Sequence, residues 1–119
     1  MKTVLIVFLG GGVGSVLRYL ISSYLNTTTI PYGTLAVNII GSLLIGLILG
    51  VSAKENILSQ NHTLLLATGF CGGFTTFSTF SYENHLFLKS GDFMNFGLYT
   101  IGSFILGVSA VFLGMYLAK

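Results

Sequence analysis

Residues 69–80 of the chain read Gly-Phe-Cys-Gly-Gly-Phe-Thr-Thr-Phe-Ser-Thr-Phe, in the middle of a long apolar region. Glycine costs about 1 kcal/mol relative to alanine inside a helix, so the pair Gly72-Gly73 predicts a helix that is broken there. In a membrane, a broken helix is tolerated only where the freed backbone groups find partners or line a cavity. The stretch therefore predicts backbone carbonyls exposed at mid-membrane depth, where they could hold a cation.

Aromatic rings and hydroxyl groups follow the glycine pair. Phe74, Phe77 and Phe80 recur every third residue, along one slowly drifting face of a helix. A phenylalanine ring has a negative face and a positive edge, so Phe77 and Phe80 could offer ring edges to an anion. Phe74 lies beside the predicted break and is assigned to packing. The positions between the rings carry hydroxyl groups, on Thr75, Thr76, Ser78 and Thr79.

The composition indicates a membrane protein. Of the 119 residues, 53% are hydrophobic and only 7% are charged, whereas soluble domains carry about 25% charged residues. A chain this short cannot hide so much apolar surface in a core of its own. We predict an all-α membrane protein, and the first apolar run is too long for a signal peptide. The prediction is one domain, residues 1–119, with four transmembrane helices at about residues 3–24, 33–52, 63–88 and 94–118.

Two classes of function fit the sequence poorly. The net charge of +2 comes from too few residues to neutralise a nucleic-acid backbone. Histidine, cysteine and acidic residues do not converge in any pattern that would form a catalytic site, so we predict that the protein is not an enzyme. Cys71 is expected to be a small buried side chain, and the lone His62 lacks a second metal ligand nearby. The polar stretch 53–62 is predicted to lie outside the membrane.

Small residues recur at a spacing that favours helix contact. Gly10 and Gly14 are four residues apart in the first span, as are Gly46 and Gly50 in the second. This spacing lets two helices approach closely in lipid. We therefore expect both spans to pack tightly against another helix.

Five polar side chains inside the predicted spans are candidates for a functional role, and each has alternatives. An unpaired amide in hydrocarbon is costly, so Asn38 either makes an interhelical hydrogen bond or lines a pore. Arg18 either snorkels to the membrane surface or attracts anions at a vestibule. Glu83 is either solvated or paired with a cation. Tyr99 and Ser103 share one face of the last helix, where they serve packing or an ion pathway.

The charges predict a dual topology. One side of the membrane would carry Lys2, Lys54 and Lys119, and the other Lys89 and Arg18, three charges against two. The positive-inside rule needs an excess of charge on one side to fix an orientation. A balanced chain can insert both ways, so an antiparallel homodimer with a two-fold axis in the membrane plane becomes available.

Over nearly its whole length the chain resembles the CrcB/Fluc family of bacterial fluoride channels. The resemblance rests on residues 69–80, on Gly10–Ser15 with Arg18, and on Gly33–Asn38 followed by Gly41 and Ser42. It implies a fluoride-selective channel that exports fluoride from the cytoplasm and so reduces its toxicity. It also implies a multi-pass protein of the bacterial cell membrane that works as a dual-topology dimer.

The resemblance carries expectations for particular residues. It implies a structural sodium ion at the dimer interface, bound by backbone carbonyls that map onto Gly72 and Thr75. It favours a structural or vestibular role for Arg18 and for Glu83, and the family also carries an acid at the position of Glu83. The expected fluoride pathway contains Asn38, Phe77, Phe80, Ser78, Thr79, Tyr99 and Ser103.

Two other classes of membrane protein compete with a channel. A proton-coupled small multidrug transporter needs an ionisable carboxylate in its first helix, and the first span here has no acid. A non-transporting assembly subunit would account for the glycines but not for the block of Phe, Thr and Ser beside the predicted break. Both explain the sequence less completely than an anion channel does.

Overall fold

The structure is a computed structural model, and it describes residues 1–54 and 58–119. The described residues form helices and short connections, with no β-strand among them. The polar stretch predicted over residues 53–62 lies partly outside these ranges. In chain order the helices are α1 (Lys2–Leu25), α2 (Tyr32–Ser52), α3 (Gln60–Thr63), a π-helix (Leu64–Cys71), α4 (Gly72–Phe74), α5 (Phe77–Ser90) and α6 (Phe93–Leu117).

Three of these helices, α1, α2 and α6, are long and apolar enough to cross a membrane. They contain 24, 21 and 25 residues, and at about 1.5 Å per residue such lengths span about 30 Å of hydrocarbon. The predicted all-α class with membrane helices is therefore confirmed. The region between α2 and α6 differs, because its helices are shorter.

The helical path is interrupted at Thr75 and Thr76, between α4 and α5. Their backbones are extended, with φ and ψ of −91° and 159° at Thr75 and of −149° and 124° at Thr76. The predicted break at Gly72-Gly73 is wrong, because Gly72 is helical, with φ −62° and ψ −39°, and begins α4. Threonine is β-branched and prefers an extended backbone, so the interruption falls beyond the glycines.

Gly73 serves close packing instead, as does Gly14 on α1. A Cβ atom at Gly73 would lie 2.9 Å from the Cα atom of Gly11 on α1, and a Cβ atom at Gly14 would lie 2.8 Å from the backbone nitrogen of Phe74. Real side chains do not tolerate such distances. α1 therefore packs backbone against backbone on the segment 60–74, which comprises α3, the π-helix and α4.

A second contact of the same kind joins α2 to α6. A Cβ atom at Gly114 would lie 2.8 Å from the backbone nitrogen of Leu47, and one at Gly46 would lie 3.1 Å from the carbonyl carbon of Val111. We call these two contacts, α1 with the segment 60–74 and α2 with α6, the glycine seams. They fix the positions of the three long helices without large side chains between them.

A tight turn makes α5 and α6 neighbours in space. Gly91 has a φ of 77°, a left-handed conformation that glycine adopts without steric cost. The turn is closed by hydrogen bonds from Gly91 N to Leu88 O at 3.2 Å and from Asp92 N to Phe87 O at 2.9 Å. Asp92 then caps α6, where its Oδ1 accepts from Asn95 N at 3.2 Å. The polar faces of the two helices are thereby brought together.

Large apolar side chains cover the outside of the chain. Phe8 on α1 and Phe112 on α6 are each 71% exposed. The composition predicts this exposure, because so short a chain cannot bury all of its apolar side chains in a core of its own. Lipid or another chain must cover this surface in the membrane.

Candidate functional site

Asn38 on α2 hydrogen-bonds to the backbone at the interruption between α4 and α5. Its Nδ2 donates to the carbonyl of Thr76 at 3.2 Å, and its Oδ1 accepts from the backbone nitrogen of Thr76 at 2.8 Å. One side-chain amide thus satisfies both backbone groups of an extended residue that has left the helix. The interhelical hydrogen bond, one of the two roles predicted for Asn38, is present. The amide nitrogen carries a second hydrogen, for which the described residues offer no partner.

The interruption removes the regular helical donors from two carbonyls. In a continuous α-helix the nitrogen of Thr76 would bond to the carbonyl of Gly72, and that of Thr79 to the carbonyl of Thr75. Instead Thr76 N donates to Asn38, and Thr79 N donates to the Oγ1 of Thr76 at 3.2 Å. Gly72 and Thr75 are the residues whose carbonyls were expected to bind sodium. Both carbonyls therefore lie where the regular helical bonds are missing.

Arg18 engages the carbonyl between these two. Its Nε donates to the carbonyl of Gly73 at 3.0 Å, and the Ser15 hydroxyl lies 3.4 Å from the same oxygen. In a continuous helix that oxygen would accept from Phe77 N, so the α1 side chains replace a helical bond lost at the interruption. This contact fits the structural role expected for Arg18. It also places a positive charge on the α1 side of the interruption.

A second polar cluster surrounds the carboxylate of Glu83 on α5. The hydroxyl of Tyr99 donates to Oε1 at 2.7 Å, and the hydroxyl of Thr34 donates to Oε2 at 2.7 Å. Asn26 adds a longer contact from Nδ2 to Oε2 at 3.4 Å. The described side chains that contact this carboxylate are therefore neutral hydrogen-bond donors. We call Asn26, Thr34, Glu83 and Tyr99 the carboxylate cluster.

Asn84 on α5 and Thr100 on α6, each one position after Glu83 and Tyr99, form a second hydrogen-bonded pair. The hydroxyl of Thr100 donates to Oδ1 of Asn84 at 3.1 Å, and Asn84 is buried. The pairs Glu83–Tyr99 and Asn84–Thr100 are consecutive on both helices. Two adjacent hydrogen bonds therefore fix the register of α5 against α6.

The three phenylalanines beside the interruption have different surroundings. Phe74 is buried and stacks on Phe70 with a centroid distance of 5.3 Å. Phe80 is also buried and packs on Tyr99 at 5.1 Å between ring centroids. Phe77 is 74% exposed and touches Phe80 with a centroid distance of 6.1 Å. The ring of Phe77 thus extends away from its own chain.

An open cavity of about 570 Å³ lies against the interruption, between α2, the π-helix and α6. The hydroxyl oxygen of Ser103 is buried and has no hydrogen-bond partner among the described residues. That oxygen is therefore available to a bound ion or water molecule. The cavity is lined by several of the predicted residues, namely Asn38, Gly72, Thr75, Phe77, Phe80 and Ser103.

A family model described as "CrcB-like protein, Camphor Resistance (CrcB)" matches residues 5–115. The chain belongs to this family. A relative from Gloeothece citriformis is 51% identical, over 100% of this chain and 98% of its own. One from Phocaeicola vulgatus is 48% identical over the whole of both chains, and one from Chlorobaculum tepidum is 46% identical over 100% and 96%. All three carry the name "Fluoride-specific ion channel FluC".

The CrcB-like relatives and the three long apolar helices make this chain a multi-pass bacterial membrane protein. Within this family member, four of the seven residues predicted for the pathway line one cavity: Asn38, Phe77, Phe80 and Ser103. Tyr99 lies one turn away, in the carboxylate cluster. Ser78 and Thr79 lie in the first turn of α5 and do not line this cavity.

Sequence reasoning missed two residues of this CrcB-like site. Thr34 precedes Asn38 by four positions on α2, so the two residues share one face of the helix. This spacing could have identified Thr34 as a candidate from the sequence. Asn26 had no such signal, since it follows α1 in a connection and reaches the cluster only through the fold. Cys71, predicted to be buried, is buried.

Proposed function

We propose that this protein is a fluoride-selective channel that exports fluoride from the cytoplasm and so lowers its toxicity. The similarity over the full length to relatives named as fluoride-specific ion channels carries the proposal. The cavity beside the interruption supports it with chemistry suited to an anion. The fluoride pathway would contain Asn38, Phe77, Phe80, Ser78, Thr79, Tyr99 and Ser103.

A neutral pathway suits a small, strongly hydrated anion. Such an ion gives up its water only when several short donor contacts replace it, and conduction needs binding weak enough for release. The unpartnered hydroxyl of Ser103, the second amide hydrogen of Asn38 and the ring edges of Phe77 and Phe80 supply neutral contacts. No charged side chain lines the cavity among the described residues, so nothing there would trap the ion.

The channel would be an antiparallel dual-topology homodimer. Each chain would contribute four transmembrane helices, with the segment 60–74 and α5 together forming a broken third one. Phe77, which is 74% exposed in one chain, would then contact the partner. An isologous interface also covers the apolar surface that a single chain leaves open.

The topology can be read from a tag at the C-terminus. We expect the tag on both sides of the membrane in cells that express the wild-type chain. Two lysines added to the loop at residues 56–61 should favour one orientation and lower function when that variant is expressed alone. A wild-type C-terminus confined to one side would contradict the antiparallel dimer.

A structural sodium ion would lie on the two-fold axis. The candidate ligands are the carbonyls of Gly72 and Thr75, which have lost their regular helical donors, and two chains would bring four oxygens together. Gly72 is exposed, and a Cβ atom there would meet no atom within 4 Å, so its backbone is open to a partner. The bound ion would contribute positive charge that joins the two subunits. Sodium replaced by choline should lower the melting temperature of the purified dimer.

Efflux from liposomes tests the function directly. Vesicles that contain only this purified chain are loaded with fluoride or with chloride, and each anion is followed with a selective electrode. We expect rapid release of fluoride and retention of chloride, because chloride is the larger ion and the pathway is narrow. Vesicles without protein give the background. Equal release of the two halides would exclude the proposed function.

A further inference from the structure

Asn26, the residue that follows α1, uses both ends of its side-chain amide. Its Oδ1 accepts from the backbone nitrogens of Gly33 at 2.7 Å and of Thr34 at 3.2 Å. Its Nδ2 donates to the Oγ1 of Thr34 at 3.0 Å and lies 3.4 Å from Oε2 of Glu83. One side chain therefore satisfies free N–H groups in the first turn of α2 and reaches the carboxylate on α5.

The chemistry of these partners fixes the orientation of the amide. Gly33 N and Thr34 N are both donors, so the atom that faces them must be the oxygen. The nitrogen then faces Thr34 Oγ1, and this hydroxyl must accept there. A threonine hydroxyl has a single hydrogen, and the carboxylate oxygen of Glu83, at 2.7 Å, is left to receive it.

We propose that Asn26 is a positioning residue for the ion pathway: it directs the hydroxyl hydrogen of Thr34 onto Glu83 and so holds the Glu83 carboxylate in one orientation beside Tyr99. The inference rests on the proposed function, because the effect is on conduction. The carboxylate has hydrogen bonds on both oxygens, to Tyr99 on one and to Thr34 on the other. Loss of the Thr34 bond leaves one short hydrogen bond, to Tyr99, and the carboxylate can rotate about it.

The variant Asn26→Asp separates the two ends of the amide. An aspartate keeps the acceptor for Gly33 N and Thr34 N, so the cap on α2 survives. It removes the donor and offers the Thr34 hydroxyl a second acceptor, which draws the hydrogen away from Glu83. The matched control is Asn95→Asp, because the Nδ2 of Asn95 also donates to a carboxylate, that of Asp92 at 2.7 Å, outside the carboxylate cluster.

The first measurement is fluoride efflux per folded dimer in liposomes. We expect Asn26→Asp to slow efflux by about tenfold while the dimer is recovered as well as wild type, and Asn95→Asp to stay within about twofold of wild type. Efflux of Asn26→Asp within twofold of wild type would overturn the inference. Wild-type vesicles that fail to release fluoride would instead remove the proposed function, so the two failures are distinguishable.

A double-variant cycle separates positioning from a general effect of added charge. Thr34→Val keeps the shape of a buried side chain and removes the hydroxyl through which Asn26 acts. If Asn26 acts through Thr34, the variant Asn26→Asp with Thr34→Val should conduct no more slowly than Thr34→Val alone, because the losses do not add. Losses that multiply would show an independent charge effect and overturn the inference.

A neutral variant provides a second test if Asn26→Asp fails to form dimers. Asn26→Leu has similar shape, adds no charge and removes both donor and acceptor. If this variant yields folded dimers, its efflux should fall below that of wild type, but by less than is expected for Asn26→Asp, because the donor that orients the Thr34 hydroxyl is lost but no second acceptor competes with Glu83 for its hydrogen. If it too fails to fold while Thr34→Val folds and conducts normally, Asn26 serves the α2 cap alone and the positioning role is wrong.

Discussion

The glycine seams and the α5–α6 contact hold helices together by opposite means. In the seams, backbones meet directly, and a Cβ atom at Gly14 or Gly73 would lie within 3 Å of the neighbouring backbone. Between α5 and α6, polar side chains meet, as in the pairs Glu83–Tyr99 and Asn84–Thr100. The seams gain dispersion contacts and tolerate no added atom, whereas the polar contact relies on hydrogen bonds. The polar contact lies beside the cavity, so the seams form the frame and the hydrogen-bonded region forms the candidate pathway.

The largest effect is expected from an added side chain in a seam. Gly14→Val places atoms against the backbones of Phe70 and Phe74, and the helices must separate. We expect a loss above about 3 kcal/mol, seen as no folded dimer on size-exclusion chromatography in detergent. Gly12→Val is the matched control on the same helix, because a Cβ atom there meets nothing within 4 Å. Equal recovery of both variants would contradict the close packing of α1.

A smaller but still severe effect is expected at the interruption. Asn38→Leu leaves both backbone groups of Thr76 without their side-chain partner, at no more than about 1–3 kcal/mol for each of these half-buried groups. We expect a lower melting temperature. We also expect that temperature to depend less on sodium, because Thr76 N can then form the regular helical bond to the carbonyl of Gly72, one of the proposed sodium ligands. Ser42→Ala, one turn further along α2, removes only a hydroxyl that donates to its own helix at 2.7 Å. If sodium raises the melting temperature of Asn38→Leu as much as that of wild type, the sodium site does not depend on the interruption.

Substitutions of the phenylalanines beside the interruption test conduction, because efflux is measured per folded dimer. Phe77→Ile and Phe80→Ile keep bulk but remove the positive ring edge, so fluoride efflux per folded dimer should fall about tenfold or more. Replacement by methionine should be milder, because its polarizable thioether partly stands in for the ring. Phe74→Leu is the control, since Phe74 is buried against Phe70 away from the exposed ring of Phe77. Near-normal efflux through both isoleucine variants would remove the coordination role.

The smallest effect is expected from the neutral pair between α5 and α6. Thr100→Val removes the hydroxyl that donates to the buried Asn84 and should lower the free energy of unfolding by about 1–3 kcal/mol, because one buried acceptor loses its partner. Thr100→Ser keeps the hydroxyl and should behave like wild type. Denaturant unfolding of the purified dimer measures both. An unchanged stability in the valine variant would mean that the register of these helices depends on Glu83 and Tyr99 alone.

The same contrast explains which features the sequence could predict. Long apolar runs and glycines at four-residue spacing depend on local pattern, so α1, α2, α6 and the packing of Gly14 and Gly46 followed from the sequence. The interruption was misplaced because glycine was interpreted through helix propensity, whereas Gly73 is required by its contact with α1. Glu83 and Tyr99 were singled out, but Asn26, Thr34 and the carboxylate cluster as a whole were missed because the four members come from four separate parts of the chain. Hydrogen bonds between distant residues leave no periodic signal.

The interruption at Thr75 and Thr76 also has a consequence in terms of helix dipoles. The end of α4 presents carbonyl oxygens, and the start of α5 presents N–H groups, of which Thr79 N is already capped. Helix ends carry about half an elementary charge, negative at the C-terminal end and positive at the N-terminal end. Two helix ends of opposite polarity thus face each other within two residues. A single break in the chain gives this region a surface of carbonyl oxygens, where Arg18 already contributes a positive charge, and an adjacent surface of N–H groups that favours an anion.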